Sequence, residues 1–386
     1  MLWPAEARMQ TAPPETVVIE RSVAQGPLAA RLRRSLPGAR FELVDQLPPD
    51  AAGDPSVLGL VRFRGRFLRS CPGTRHYHCC GYQIVHFGTQ CSLGCTYCIL
   101  QAYFQNQGLR LFGNIEDLFE ELARTLDARR DCLFRIGSGE FTDSLLLDPW
   151  TGFSEWLVPF FADRPNAVLE LKTKTTHIDN LERLDHRGHT LVAWSLNAAP
   201  VRAREESRGA SLAERLEAAR RVQSWGYPLA FHFDPMIDIP DWQRHYGEVL
   251  ERLFQAVDPA RVVWISLGAF RFMPELKEMI QARYPRSLIA YGEFVRGLDG
   301  KMRYFRDIRV EFYRFMADSI ARVDPGIRVY LCMESDDVWR DALGFSPTER
   351  GGLPALLDSA VQTRLGVGRD CRRSAVDGAA GELGVA

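Results

Sequence analysis

The sequence lacks the features that would place the chain in a membrane or direct it out of the cell. No stretch approaches the roughly 18 uninterrupted apolar residues that a membrane-spanning helix requires. The first sixteen residues, MLWPAEARMQTAPPET, contain prolines and acids but no apolar core of a secretory signal. The formal net charge is only -1, so no overall field attracts nucleic acid or an anionic membrane. We therefore expect a cytoplasmic protein without a membrane partner, in which any contact with nucleic acid depends on a local patch.

The chain contains nine cysteines, and a cytoplasmic location would keep them in a reducing environment. Clustered cysteines in such a compartment are more often metal ligands or catalysts than disulfides. The clustered ones are Cys71, Cys79, Cys80, Cys91, Cys95 and Cys98. Cys132, Cys332 and Cys371 stand alone, and an isolated cysteine usually behaves as a small buried apolar residue. The cluster is therefore where we expect chemistry.

Short β-branched runs alternate with amphipathic helical stretches from Tyr82 onward, which is typical of a parallel sheet built from βα units. The predicted strands are 82–88, 132–139, 167–175, 190–197, 228–236 and 262–270. The predicted helices between them are 115–129, 153–164, 178–187, 211–226 and 241–257. Ser211 and Glu214 form a capping box at the start of the fourth helix. The pattern favours an α/β fold with a partial (β/α)6 TIM-like barrel, and a doubly wound sheet is the alternative.

The rest of the chain is expected to add small flanking parts to this barrel. An apolar strand, an Arg-rich helix and a second strand follow the polar leader, and a strand-like run occupies 327–334. The predicted parts are a disordered leader (1–16), an N-terminal α/β subdomain (17–81), the partial barrel (82–272), a C-terminal extension (273–345) and a mostly irregular or disordered tail (346–386).

Polar residues crowd the carboxyl ends of the predicted strands, where parallel α/β folds bind their ligands. They are Gly137, Ser138, Gly139, Glu140, Thr142, Asp143, Lys172, Lys174, Ser195, Asn197, His232 and Asp234. Strand ends also meet water, which would by itself explain polar side chains there. A lysine that ends one buried strand nevertheless converges with a serine and an asparagine that end the next, and this favours a ligand site.

Three cysteines in the spacing C-x3-C-x2-C, Cys91, Cys95 and Cys98, follow the first predicted barrel strand. Zinc normally takes four ligands in two short pairs, and His86 or Cys80 would have to complete the set. A [4Fe–4S] cluster is held by thiolates on its irons, and three cysteines leave one iron open. S-adenosylmethionine (SAM) can chelate such an iron through its amino and carboxylate groups. The spacing favours a cluster with SAM over zinc and over three unconnected core cysteines.

With the aromatic Tyr97 just before its last cysteine, the motif resembles that of the radical SAM superfamily, which carries it after the first strand of a partial barrel. The resemblance implies a [4Fe–4S] cluster and SAM as cofactors, cleavage of SAM to a 5′-deoxyadenosyl radical, and a flavodoxin- or ferredoxin-type reductant. The Gly137–Glu140 turn would face the SAM amino group, because glycines allow close approach and a carboxylate suits an ammonium. Lys174, Ser195 and Asn197 would lie over the SAM carboxylate and ribose.

Four further stretches resemble the spore photoproduct lyase family, whose radical SAM enzyme splits the thymine dimer formed in spore DNA. They are Leu100–Gln101 after the cysteine loop, LELKTKT (169–175), WSLN (194–197) and RLEAARRVQSWGYPLAFHFDPMI (215–237). The resemblance covers about residues 82–272, half of the chain. The residues that it carries over are, for the cluster, Cys91, Cys95 and Cys98 and, for SAM, Thr142, Lys174, Ser195 and Asn197.

Two positions depart from that family. The lyase has a cysteine in the second-strand turn, three residues before an aspartate, and this cysteine returns a hydrogen atom to the product radical. Counted from Asp143, its place is taken by Glu140, whose O–H bond is a far poorer hydrogen-atom donor than S–H. Ile99 stands where the lyase has a radical-relaying tyrosine, whereas Tyr97 remains. Glu140 and Tyr97 are therefore the candidate catalytic residues.

These departures leave the substrate open. The favoured function is a radical SAM enzyme of the spore photoproduct lyase-like family that acts on a DNA photolesion. The alternatives are a radical SAM enzyme with a non-DNA substrate and a zinc-stabilised nucleic-acid-binding module. Cys332 or Tyr103 could replace the missing donor, although nothing in the sequence shows it. Basic and aromatic residues alternate over 296–315, which suits nucleic acid, but an ordinary amphipathic helix explains them better. The adjacent Cys79 and Cys80 are expected to pack in the core.

Overall fold

The computed structural model describes residues 12–48, 54, 56–74, 76–104, 108–371 and 373–374. Most of the predicted leader, residues 1–11, lies outside the described residues, and the first strand begins at Thr16. None of the helices in these ranges has the length and apolar character needed to cross a lipid bilayer.

The first part of the chain builds a small sheet and contributes two strands to a larger one. Its elements are β1 (Thr16–Glu20), α1 (Pro27–Ser35), β2 (Arg40–Val44), β3 (Val57–Val61), β4 (Leu68–Ser70), β5 (Gln83–Val85), β6 (Gly88–Thr89), α2 (Leu100–Tyr103) and β7 (Leu109–Phe112). The small sheet has the order β2-β1-β3-β7-β6, whereas β4 pairs with β5 in the larger sheet. The two sheets therefore do not divide at residue 81, the predicted domain boundary. β4 precedes this residue but belongs to the larger sheet, whereas β6 and β7 follow it but belong to the small sheet. These strands are too short to show a sequence pattern.

The larger sheet is the barrel that the alternating pattern predicts. Its elements are α3 (Ile115–Ala128), β8 (Cys132–Gly137), α4 (Asp148–Thr151), α5 (Phe153–Ala162), β9 (Ala167–Thr173), β10 (Thr190–Ser195), α6 (Ala199–Glu205), α7 (Leu212–Ser224), β11 (Leu229–Met236), α8 (Trp242–Ala256) and β12 (Val262–Ala269). From β5 through β8, β9, β10 and β11 to β12, each strand lies parallel to the next. β8, β10 and β12 are buried along their whole length, as apolar runs predict for strands covered on both faces. The α/β fold with a partial barrel is confirmed.

The C-terminal extension widens this barrel. Its elements are β13 (Arg271–Phe272), α9 (Pro274–Arg283), β14 (Val295–Arg296), β15 (Met302–Arg303), α10 (Arg306–Val323), β16 (Arg328–Leu331), α11 (Asp336–Leu343), α12 (Leu353–Arg364) and β17 (Arg373–Ser374). β16 lies parallel to β12 and extends the barrel sheet by one strand. β13, β15 and β14 form a separate antiparallel sheet.

The helix predicted over 178–187 does not form within these described residues. Only the short 3-10 helix Asp179–Leu181 occurs there. The left-handed φ values of Arg187 (47°) and Gly188 (76°) belong to the turn into β10 at the end of the predicted helix, and the chain between Leu181 and this turn is not helical. By contrast, α7 begins at the predicted capping box, because the Ser211 side chain accepts from the Glu214 backbone N–H.

The tail predicted as irregular from residue 346 contains a well-formed helix. α12 buries one apolar face against the barrel, and its spacing follows the helical period. The residues on that face are Leu353, Leu356, Leu357, Ala360 and Val361. The prediction is therefore wrong for this segment. Residues 375–386, the end of the predicted tail, lie outside the described residues.

The barrel sheet curves without closing, and the segment between β4 and β5 spans its open side. β4 lies at one edge of the sheet and β16 at the other. We call this segment, residues 71–82 apart from residue 75, the closing loop. Its His78 backbone N–H donates to the Glu334 carbonyl beyond β16 at 3.0 Å. Its Tyr77 hydroxyl accepts from the Leu298 backbone N–H at 3.0 Å, so the loop contacts the far edge and the C-terminal extension.

Candidate active site

One cavity of about 300 Å³ opens where the carboxyl ends of the barrel strands meet the cysteine loop. The cysteine loop, residues 90–98, turns through left-handed φ values at Gln90 (72°) and Gly94 (62°). The predicted residues that line the cavity are Cys91, Cys95, Cys98, Tyr97, Gly139, Glu140, Thr142, Lys174 and Ser195. The structure therefore gathers most of the predicted site on one surface.

Three predicted SAM contacts lie behind this surface instead. Gly137 leaves room for the Tyr82 side chain, because a Cβ at Gly137 would fall 1.4 Å from the Tyr82 hydroxyl oxygen. The Ser138 hydroxyl donates to Ser144 Oγ at 2.8 Å. The Asn197 side-chain amide donates to the Pro235 carbonyl at 2.9 Å, and its Oδ1 accepts from the Tyr246 hydroxyl at 2.8 Å. These three residues lie outside the cavity and support the wall that surrounds it.

The three motif cysteines suit a buried cluster. Burial raises the pKa of the Cys95 thiol to about 12, and it also raises the pKa of Cys91 and of Cys98. Thiolates in such a place need positive charge to replace their protons, and the irons of a cluster supply it. Each iron of a cubane takes one thiolate, so its ligands stand apart. Within the described ranges, no three His, Cys, Asp or Glu side chains lie close enough to hold a single metal ion.

His86 does not join the cysteines at the cavity. Its ring packs against the rings of Phe63, Phe112 and Phe141, with centroid distances of 5.1, 4.8 and 4.6 Å. Burial lowers the pKa of His86 to about 3, so the imidazole is neutral. This aromatic surrounding gives His86 a packing role rather than that of a fourth zinc ligand.

The cysteine loop is fastened to α6 by the two residues before Cys98. Thr96 donates from its backbone N–H to the Glu205 carbonyl at 3.0 Å and from its hydroxyl to the Glu205 carboxylate. The Tyr97 hydroxyl donates to the Glu206 carboxylate, which also accepts from Arg215 Nη2 at 2.6 Å. Burial opposes the charge on Glu206, yet the Arg215 guanidinium holds the pKa of Glu206 below its usual value. Tyr97 therefore lines the cavity with its ring, while its hydroxyl positions the loop.

Asp143 organises the turn after the second barrel strand. Its Oδ1 accepts from the Leu145 backbone N–H at 3.0 Å and from the Thr173 hydroxyl at 2.7 Å. Its Oδ2 accepts from the Lys174 backbone N–H at 2.9 Å, which ties the turn to β9. The Lys174 Nζ lies 5.8 Å from the centroid of the Tyr97 ring. This ammonium is thus held over the cysteine loop, where it can meet an anionic group of a ligand.

Acid–base pairs cover the inner part of the cavity. They are Glu140–Lys172, Glu170–His232 and Asp234–Arg271. Burial disfavours the charged form of Lys172, but Glu140 and then Glu170 raise its pKa above the usual value. Glu170 Oε1 lies 2.5 Å from His232 Nε2. The predicted catalytic Glu140 is therefore an ion-paired carboxylate.

Sequence reasoning missed the part of the lining that comes from the closing loop and the C-terminal extension. Those residues are Cys71, Cys80, Tyr82, Arg271, Lys301, Tyr330 and Met333. Cys332 and Tyr103, named as substitutes for a hydrogen donor, also line the cavity. The crowding of cysteines in the closing loop is the available signal. The prediction that Cys79 and Cys80 pack in the core is wrong for Cys79, which is exposed, whereas Cys80 lines the cavity.

The basic and aromatic stretch 296–315 is folded into the protein. Arg303 Nη2 donates to Asp299 at 2.7 Å, and Arg309 forms a buried ion pair with Glu334. α10 buries several of the aromatic side chains of this stretch against the core. The amphipathic helix is therefore the better description of α10, but Arg309 of this helix and Arg303 before it are buried in ion pairs rather than solvent-facing.

Comparison with known proteins identifies relatives of this arrangement. The family model described as "Spore photoproduct lyase" matches residues 76–310. The spore photoproduct lyase of Geobacillus sp. (strain Y412MC61) is 28% identical over 255 residues, which cover 64% of this chain and 74% of the relative. The Bacillus subtilis (strain 168) lyase is 27% identical over 212 residues, covering 54% and 62%.

Solved structures of the same enzyme share the fold. Spore photoproduct lyase complexed with dinucleoside spore photoproduct matches with a TM-score of 0.72 at 22% identity, covering 82% of this chain and 98% of that chain. A double mutant with bound AdoMet and dinucleoside spore photoproduct matches over the same shares with a TM-score of 0.73 at 23% identity.

A partial barrel with a three-cysteine loop at the carboxyl ends of its strands defines a radical SAM enzyme. The family model covers more than half of the sequence. The chain belongs to the spore photoproduct lyase family.

Proposed function

We propose that the chain binds a [4Fe–4S] cluster through Cys91, Cys95 and Cys98, binds SAM beside it, and acts on a thymine photolesion in DNA. The observation that carries the proposal is that these thiols, Lys174 and the polar strand ends line one cavity. The relatives named as spore photoproduct lyases, one solved with AdoMet and dinucleoside spore photoproduct, support it. A flavodoxin- or ferredoxin-type protein donates the electron.

When bound, the cluster and SAM supply a 5′-deoxyadenosyl radical. Lys174 would pair with the SAM carboxylate, and the Thr142 and Ser195 hydroxyls, which line the same cavity, would hold its ribose and amino groups. Gly139 keeps the turn close to β9, because a Cβ there would lie 2.9 Å from the Lys172 carbonyl oxygen. The residues behind the wall, Gly137, Ser138 and Asn197, hold these contacts in place. The chain thus orients SAM with side chains from three neighbouring strands.

Lys174→Met is expected to weaken SAM binding by about tenfold or more, because a hydrogen bond to a charged group contributes roughly 1.5–3 kcal/mol. Calorimetry on cluster-loaded, unreduced protein under anaerobic conditions measures the affinity. Lys277→Met is the matched control, since Lys277 Nζ also lies 5.8 Å from a tyrosine ring, that of Tyr291, but outside the cavity. Equal affinities of Lys174→Met and wild type would remove Lys174 from the SAM site.

The surface around the β14–β15 hairpin supports a base-bearing substrate. Lys301 of this hairpin lines the cavity, and Leu298 at its turn is 72% exposed. Leu288 and Tyr291, in the segment before the hairpin, are 70% and 54% exposed. Exposed apolar and aromatic side chains in and before this hairpin suit contact with the bases of a nucleic acid.

A radical SAM enzyme with a non-DNA substrate is the second candidate. Two residues of the cavity lining favour it, since Glu140 pairs with Lys172 where the lyase has its hydrogen donor. Ile99 lines the cavity where the lyase has a tyrosine. The radical-forming part of the site matches the family better than the part that completes the repair.

The test incubates cluster-loaded protein with SAM, dithionite and dinucleoside spore photoproduct, and measures 5′-deoxyadenosine and thymidine by mass spectrometry. The proposal expects both products, and neither without dithionite. Formation of 5′-deoxyadenosine without thymidine would overturn the DNA-lesion substrate in favour of the second candidate. Protein that takes up zinc instead of iron and sulfide would overturn the radical chemistry.

A further inference from the structure

Three thiols outside the C-x3-C-x2-C motif line the cavity: Cys71, Cys80 and Cys332. All three come from the part of the chain that covers the open side of the barrel. Cys71 and Cys80 belong to the closing loop, and Cys332 directly follows β16. Neither cluster binding nor SAM binding uses any of them.

The proposed reaction needs a group that gives a hydrogen atom to the product radical, and Glu140 does not meet this need. Its carboxylate accepts a hydrogen bond from the Lys172 ammonium. An ion-paired carboxylate carries no hydrogen atom, whereas the weak S–H bond of a thiol breaks readily in the presence of a carbon radical. The donor is therefore to be sought among the three additional thiols.

Two of these thiols are engaged with other groups. Arg271 Nη2 donates to Cys332 Sγ at 3.2 Å, and a hydrogen bond from the Cys332 thiol contributes to the low pKa of Asp234. The adjacent Cys79 is exposed, and a hydrogen bond with the Cys80 side chain is the largest cause that lowers the pKa of Cys79 to about 6. Both thiols therefore already have a polar partner other than a substrate.

Cys71 has no such partner. Its backbone N–H donates to the Tyr82 carbonyl at 2.9 Å, which places Cys71 beside the first barrel strand. In the part of the chain that the structure describes, no group forms a hydrogen bond with its sulfur. Burial, followed by the charge of Glu140, raises the pKa of Cys71 well above the usual value, so the thiol keeps its hydrogen atom. The Cys71 thiol therefore shares the cavity with the residue that replaces the family's donor.

We propose that Cys71 is the hydrogen-atom donor of this enzyme, delivered from the closing loop instead of the second-strand turn. The assignment rests on the proposed function for its radical chemistry. The S–H bond of Cys71 breaks while a C–H bond forms on the product radical, which leaves a closed-shell product and a thiyl radical. The thiyl radical takes a hydrogen atom from the methyl group of 5′-deoxyadenosine, which restores the thiol and returns the unpaired electron to the adenosyl carbon.

This exchange between Cys71 and 5′-deoxyadenosine can be tested without any DNA. In D2O the thiol carries deuterium, so wild-type protein with SAM and dithionite is expected to form deuterium-labelled 5′-deoxyadenosine. Cys71→Ser is expected to lower the label by about tenfold or more, as for other groups positioned at a reacting atom. Cys371→Ser, which changes a cysteine outside the cavity, keeps the label. Equal labelling in Cys71→Ser and wild type, or loss of label in Cys332→Ser alone, would overturn the proposal.

A second measurement involves no turnover. Cluster-loaded, unreduced protein is treated with iodoacetamide, and alkylation of each cysteine is followed by mass spectrometry. Bound SAM is expected to slow the alkylation of Cys71, because both lie in one cavity, and to leave Cys371 unaffected. Alkylation of Cys71 at the same rate with and without SAM would show that its thiol does not face the cofactor, and the assignment would fail.

The dinucleoside spore photoproduct separates this inference from the proposed function. If wild type forms thymidine, Cys71→Ser is expected to lose most of it while 5′-deoxyadenosine formation continues. If wild type forms no thymidine, the DNA-lesion substrate is wrong, and the deuterium label together with the alkylation rate still decides whether Cys71 donates.

Discussion

Cys95→Ala is expected to abolish cluster binding and, with it, all formation of 5′-deoxyadenosine. Cys95 is the buried member of the motif, and two remaining thiolates do not hold a cubane in a site where burial penalises them. Anaerobic reconstitution followed by iron and sulfide analysis measures the first effect, with about four of each expected per wild-type chain. Mass spectrometry of the SAM products measures the second.

Cys371→Ser is the control for this loss. Cys371 is partly buried but lies outside the cavity, so its replacement should leave iron, sulfide and SAM cleavage at the wild-type level. Retention of the full iron content by Cys95→Ala would mean that the cluster is held elsewhere. Wild-type protein that binds one zinc ion and no iron would favour the nucleic-acid-binding module.

The second large effect is expected at Arg215, which supports the cysteine loop without touching the cavity. Its guanidinium donates to Glu206 at 2.6 Å, to the Ser195 carbonyl at 2.7 Å and to the Ala210 carbonyl at 2.9 Å, and Arg215 is 1% exposed. Arg215→Met keeps the apolar stem but leaves the Glu206 charge buried without its partner. Loss of one member of a buried pair costs about 3–5 kcal/mol, so the free energy of unfolding should fall by that amount.

Urea unfolding of the cluster-free protein measures this change, and iron content after reconstitution measures its effect on the loop. Because Glu206 also accepts from Tyr97, Arg215→Met is expected to lower iron loading as well as stability. Arg220→Met is the matched control on the same helix, since Arg220 forms an exposed ion pair with Glu217 and should leave both measurements nearly unchanged. Full stability of Arg215→Met would show that Glu206 takes up a proton or finds another partner.

The barrel could be predicted because strands such as β8, β10 and β12 are buried on both faces. The run TLVAWS of β10 is apolar or neutral throughout and buried at every position, so its composition alone indicates a central strand. The short strands β6 and β7 carry no comparable pattern, because pairing with neighbouring strands of the small sheet rather than composition decides their structure. The 178–187 segment shows the converse, since its sequence predicts a helix and the structure has only the short 3-10 helix Asp179–Leu181 there.

The candidate site likewise has a part that the sequence predicts and a part that only the fold reveals. Cys91, Cys95 and Cys98 are close in sequence, so their spacing by itself indicates a shared role. Cys71 and Arg271 reach the cavity from segments about 200 residues apart, and no local pattern connects them. The fold is needed to show that Cys71 lines the same cavity as Glu140.

The SAM-facing side of the cavity and its opposite wall come from different parts of the structure, whereas a closed barrel would build both from strands. The strands β8, β9 and β10, which lead to Gly139, Lys174 and Ser195, are fixed by sheet pairing. The opposite wall is a loop held mainly by contacts such as that of His78 with the Glu334 carbonyl. Insertions and substitutions in that wall alter the width and lining of the cavity while the SAM-facing strands stay as they are. Changes confined to the closing loop can therefore alter which substrate fits the cavity. Relatives with the same cysteine loop need not share a reaction.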